Sequence, residues 1–78
     1  MKSEIEQFVI DKVKQFRVSK GFSQSDLADL LDVTPGFIGQ VESPKYDAKY
    51  NLNHINSFSQ IFNCKPSDFL PDEPLRKE

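Results

Sequence analysis
The sequence predicts an all-α fold, and two observations carry that reading. Apolar residues recur at spacings of three and four through much of the chain, the period of helices with one buried face. In the middle, two segments open on helix-start signals: Ser23 with Asp26 three positions on, and Thr34 followed at once by Pro35. Five short helices account for the pattern. A chain of 78 residues has room for one small domain, placed over residues 1–70, with 71–78 as a flexible tail.

From Ser3 to Ser19, the residues Ile5, Phe8, Val9, Val13 and Phe16 form one apolar stripe, which predicts a first helix ended by Gly21. The second helix begins at Ser23 and carries Leu27, Ala28, Leu30 and Leu31 at helical spacing. Thr34 caps the third, and Pro35 takes the one helical position where a missing N–H costs nothing. Ile38 and Val41 give that helix a single inward stripe. Two short helices joined by a tight turn, from Ser23 to Glu42, are the outline of a helix-turn-helix, a device that sets one helix against DNA. SPKYDAKYN then reads as a polar loop. A fourth helix starts near Asn51 with Leu52, Ile55, Phe58 and Phe62 inward, and Asn63 suits a left-handed C-cap. Lys65 and Pro66 open a last short helical turn carrying Phe69 and Leu70 before the closing PDEPLRKE.

Charged residues at 28% and hydrophobic ones at 37% fit a soluble globular class. No apolar run approaches the roughly 20 residues needed to cross a bilayer, and the opening MKSEIEQF mixes acids into its apolar positions, unlike a secretory signal. A cytoplasmic location is expected. Cys64 is the only cysteine, which excludes an internal disulfide and a cysteine-based zinc site. The net charge of −2 argues against a polyanion binder coated in lysine. Residues 1–20 nevertheless hold five basic side chains against three acidic ones, and residues 21–64 two against five. A DNA surface therefore has to be local, with helix-start amides supplying much of its pull.

Over about residues 12–70 the chain resembles the phage repressor and Cro-like (XRE) helix-turn-helix proteins. The resemblance rests on Arg17, Lys20-Gly21-Phe22-Ser23-Gln24, Leu27-Ala28, Leu31, Val33, Ile38, Gln40, Val41-Glu42, and then Ile55, Phe58 and Phe62 ahead of Asp68-Phe69-Leu70. It implies a five-helix, lambda-repressor-like DNA-binding domain whose third helix, about residues 34–43, enters the major groove. It also implies an ion pair between Arg17 and Glu42. Gln24, with Ser23 at the same helix start, and Lys45, Tyr46 and Lys49 in the following loop are implied as phosphate contacts. Asp32 stands where the family usually has glycine, a position an aspartate tolerates if the turn is left-handed.

Helical geometry supports this division. With Ile38 inward and about 100° per residue, Val41 lies roughly 60° to one side and Glu42 roughly 40° to the other. An inward carboxylate needs a cation, and Arg17, at the inner end of the first helix, offers a planar bidentate donor. Gly36 and Gln40 fall within roughly 20° of the opposite direction, with Ser43 and Gly39 beside them. Together with Thr34, Pro35 and Phe37, these form the base-facing set. Gln40 alone carries a long amide, able to make two hydrogen bonds to adenine. Phe37 either meets a thymine methyl group or packs against a partner or the loop before the fourth helix. Two exposed glycines in one short helix each cost about 1 kcal/mol relative to alanine. A face without side chains lets the backbone approach a surface closely.

These readings predict a transcriptional regulator that binds double-stranded DNA as a homodimer, with the C-terminal Phe58, Phe62, Phe69 and Leu70 as the dimer surface. The alternative is a protein-interaction module, antitoxin-like or a repressor's partner, using the acidic charge and an apolar Pro35-Gly36-Phe37 surface. An enzyme is not expected. His54, the only histidine, has no cysteine or carboxylate beside it at a recognisable spacing and reads as a helix-surface residue. No cofactor, metal, small-molecule ligand or membrane partner is implied.

Overall fold
The computed structural model describes residues 1–76. Among them the chain forms four α-helices, α1 Glu4–Ser19, α2 Gln24–Leu31, α3 Pro35–Glu42 and α4 Leu52–Ile61, and a closing 3-10 turn, Pro66–Phe69. The all-α class holds, but the fifth element is a single turn rather than a helix. Pro66 opens it, and Pro71 disfavours the helical region for the residue before it, so Leu70 is extended at φ −111° and ψ 151°. Of the tail, residues 71–76 take no regular secondary structure. Lys77 and Glu78 lie outside the described residues.

Each helix starts where a side chain satisfies the orphan amides of its first turn. Ser3 and Glu6 form a reciprocal capping box on α1, with bonds of 3.2 and 2.8 Å. Ser23 and Asp26 repeat it on α2 at 3.0 and 2.8 Å. On α4 the box is made by Asn51 and His54, whose Nδ1 accepts the Asn51 N–H at 3.0 Å. The exits are equally specific. Gly21 follows α1 at φ 75°, and Asn63 follows α4 at φ 54°, the left-handed geometry that releases a chain from a helix.

The core gathers Val9, Val13, Leu27, Ala28, Leu31, Ile38, Ile55, Phe58, Phe62 and Phe69. Phe16 closes it from α1, its ring centroid 4.9 Å from Phe69 and 5.4 Å from Phe62. α2 packs on α3 and α4, while α1 spans α3 and the closing turn.

Three expectations change. With Val13 inward, Ile10 lies roughly 60° from the centre of the buried face and Phe8 roughly 140°. Ile10 is accordingly buried, Phe8 lies under the Lys12 ammonium at 5.5 Å, and Ile5 is 44% exposed. On α4, Leu52 sits roughly 120° from Phe58 and is 82% exposed, outside the inward face expected of it. Phe58, Phe62 and Phe69 are buried in the core and leave only Leu70 of the expected dimer surface exposed.

Candidate nucleic-acid interface
The turn of the helix-turn-helix is made by one left-handed residue. Asp32 sits at φ 63° and ψ 47°, and its neighbour Val33 returns an N–H to the Ala28 carbonyl at 3.0 Å. α3 leaves this turn with Thr34 as its cap, Oγ1 accepting the Phe37 N–H at 3.3 Å.

The inner face of α3 is anchored in three ways. Ile38 and Val41 are fully buried. Glu42, with its side chain 4% exposed, receives Arg17, 11% exposed, in a fork: Nε donates to Oε2 and Nη2 to Oε1, both at 2.9 Å. The third donor, Nη1, reaches the Phe22 carbonyl at 2.8 Å, so the guanidinium ties α1 to α3 and to the approach to α2. Removing one partner from so buried a pair costs about 3–5 kcal/mol. Gln24 completes the network by donating from Nε2 to Glu42 Oε1 at 3.0 Å. Its side chain thus spans α2 and α3, and its backbone N–H lies in the first turn of α2.

The residues expected to face bases divide between exposed and half-buried positions. Thr34, Pro35, Gly36 and Gln40 are exposed, and Phe37, Gly39 and Ser43 are half-buried. Phe37 packs inward against the start of α4, its ring 5.3 Å from His54 and 6.0 Å from Tyr50. A methyl group at Gly36 would meet nothing within 4 Å, and one at Gly39 would stand 3.4 Å from Gln24 Oε1. Crowding does not require glycine at Gly36, and only the Gln24 contact bears on Gly39. Beyond α3, Ser43 Oγ accepts the Lys45 N–H at 3.2 Å, and Lys45 and Tyr46 stand exposed. Lys49 is turned back to α1, its Nζ 3.2 Å from Glu6 Oε2.

Two residues of this region escape sequence reasoning. Lys2 Nζ donates to the carbonyls of Val41 and Ser43, at 2.5 and 2.8 Å. α3 has no basic residue in its last turn, and no spacing rule points 39 residues back to the donor that its terminal carbonyls find. The second is His54, whose role as a cap was visible only in its position three residues after Asn51. Burial holds the His54 ring below its ordinary pKa. The neighbouring Tyr50 hydroxyl is buried without a hydrogen-bond partner among the described residues, and burial, reinforced by the Glu42 charge, pushes its pKa up.

The described residues include no group of three or more His, Cys, Asp or Glu able to hold a metal. Burial and the Asp68 carboxylate push the Cys64 thiol up, away from thiolate chemistry. No helix among them is long and apolar enough to cross a membrane.

No protein-family model and no curated protein matches the sequence. Solved structures do match in fold. The restriction-modification controller protein C.AhdI from Aeromonas hydrophila superposes with a TM-score of 0.66 at 22% identity, over 81% of this chain and 92% of that one. A hypothetical transcription factor, NHTF from Neisseria, matches with a TM-score of 0.70 at 22% identity, over 87% of this chain and 75% of its own. The cobalt(II) complex of HppE with its substrate matches at 0.71 and 16% identity, over 86% of this chain but only 36% of that longer one. The two regulators match over most of their own length, whereas in HppE the same architecture is one part of a larger chain. In fold, then, the chain is an all-α helix-turn-helix domain similar to a restriction-modification controller and to a hypothetical transcription factor.

Proposed function
We propose that the protein is a sequence-specific DNA-binding transcriptional regulator that seats α3 in the major groove. The observation that carries this reading is the division of α3 into two faces. Its inner face is fixed by Ile38, Val41 and the Arg17–Glu42–Gln24 network, while its outer face presents Gly36 and Gln40 to solvent, with open space at Gly36. A helix held this firmly from behind and left bare in front is suited to lie against another surface. The likeness in fold to a restriction-modification controller and a transcription factor supports the same reading. Gln40 reads an adenine edge, and Lys45, Tyr46 and the amides at the start of α2, after Ser23, take phosphates.

The active form is a homodimer on a two-fold site, as half-sites about 34 Å apart require of two identical readers. One copy measures 33 × 28 × 21 Å, so two side by side span that distance. The face for this contact holds Ile5, Leu52 and Leu70, exposed around one groove floored by Val9 and Ile55. At its edge Glu6 and Lys49 neutralise each other, so an identical face approaches without like-charge repulsion.

In vitro selection from random duplexes tests the function. Recovery of a two-fold symmetric motif is the expected result. Failure to bind any duplex at tens of micromolar and low salt sinks the proposal in favour of the protein-interaction module, a reading kept open by the acidic net charge of −2.

A further inference from the structure
We infer that Lys2 is a positioning residue for the recognition helix: it sets the end of α3 and the first residues of the loop after it, without touching DNA itself. The inference rests on the DNA-binding reading of α3. A helix leaves its last carbonyls unpaired, and the partial negative charge there favours a cation. α3 provides none of its own, and its cap residue Ser43 is already extended at φ −92° and ψ 134°. Lys2 supplies the missing donor from the segment before α1, with one ammonium bonded to both the Val41 and the Ser43 carbonyl. These two carbonyls bracket Glu42, which Arg17 holds from the other end of α1. The last turn of α3 is therefore suspended between two cations that lie at the opposite ends of one 16-residue helix.

The consequence falls on Gln40 and Lys45. Gln40 lies one residue before the first bonded carbonyl, and Lys45 two residues after the second. Ser43 also accepts the Lys45 N–H, so the direction in which Lys45 leaves the helix depends on where Ser43 is held. Lys2 spends two of its three N–H donors on these carbonyls, and its side chain is part-buried. It is placed to orient the reading surface rather than to meet phosphate.

The test compares Lys2→Met and Lys2→Arg in the full chain, using the duplex recovered by selection and a scrambled duplex. Lys2→Met is expected to weaken the selected duplex about tenfold and to narrow its preference over the scrambled one, with the salt slope unchanged. Lys2→Arg, which keeps donors at the site, restores most of the preference. A salt slope lowered by about 1 makes Lys2 a phosphate contact and overturns the inference; unchanged affinity and preference overturn it as well. A second arm needs no DNA. In Lys2→Met, amide hydrogen exchange at Val41–Tyr46 is expected to speed up while the core of α2 stays protected, and unchanged exchange overturns the latch. If the parent chain binds no duplex, the proposed function fails, and the exchange arm alone then decides whether Lys2 positions α3.

Discussion
At the scale of single residues, the inward and outward directions of α3 were legible because a helical wheel fixes them without further knowledge. Glu42 falls on the inner side by that geometry alone, and the fork from Arg17 is what an inward carboxylate demands. Gln40 falls opposite, and its exposure invites a contrast with Lys45. Gln40→Ala is expected to cost about 1–3 kcal/mol and relax preference at one base position, whereas Lys45→Ala weakens all duplexes alike and lowers the salt slope by about 1. Fluorescence anisotropy across a salt series distinguishes the two, and a slope unmoved by Lys45→Ala removes that residue from the contacts. The bonds of Lys2 were not legible, since they join residues 39 and 41 positions apart. Phe37 was legible only as a choice between two roles, because the position of the Tyr50 and His54 rings decides between them.

At the scale of elements, helix starts were read more accurately than buried faces. Capping needs only neighbours in sequence, so Ser23–Asp26 and Thr34–Pro35 announce their helices directly. Ile5 and Leu52 misled because periodicity fixes a stripe but not which edge of it the rest of the fold covers. Two predictions belong here. A methyl group at Gly36 meets nothing within 4 Å beyond its own stretch of helix, so Gly36→Ala is expected to raise stability by about 1 kcal/mol through helix propensity while weakening DNA binding. Stability and affinity rising together would dispose of the idea that this face is bare for close approach. The other concerns the cap of α4. His54 must stay neutral to accept the Asn51 N–H, and burial lowers its folded pKa from the ordinary 6.5. The unfolded chain therefore takes up the proton first. Stability is fully present above the ordinary pKa and falls as pH drops through it towards the folded value. Thermal melts between about pH 7.5 and pH 5 should show the loss, and His54→Gln, which keeps an acceptor at the cap, should flatten it. Glu6 and Asp26, whose pKa values are lowered first by backbone N–H bonds from Ser3 and Ser23, lose their contribution in a more acidic range, below ordinary values of 4.5 and 3.8.

For the whole molecule, the all-α class and the order of elements followed from period and punctuation, while the surface left over did not. The phenylalanines at the C-terminal end looked too numerous for one helix pair, yet Phe16 and Phe22 join them, and Phe58, Phe62 and Phe69 are consumed by the core. Among the exposed apolar side chains, Leu52 shares one groove with Ile5 and Leu70. Leu52→Glu is expected to leave the fold intact, because that side chain is 82% exposed, and to shift sedimentation from dimer to monomer with loss of tight operator binding. An unchanged dimer would move the contact elsewhere.

The separation of α3 into an anchored back and a bare front also bears on how such a domain changes its target. What holds α3 in place comes from Ile38, Val41, Glu42 and the inward ring of Phe37, or from partners outside the helix. Pro35, Gly36 and Gln40 are exposed and carry no part of the core. Changes at Gly36 and Gln40 leave the core untouched, so on the proposed function single substitutions there alter what the domain reads while it stays folded. A library randomised at Gly36 and Gln40 should consist mostly of folded proteins that differ in what they read.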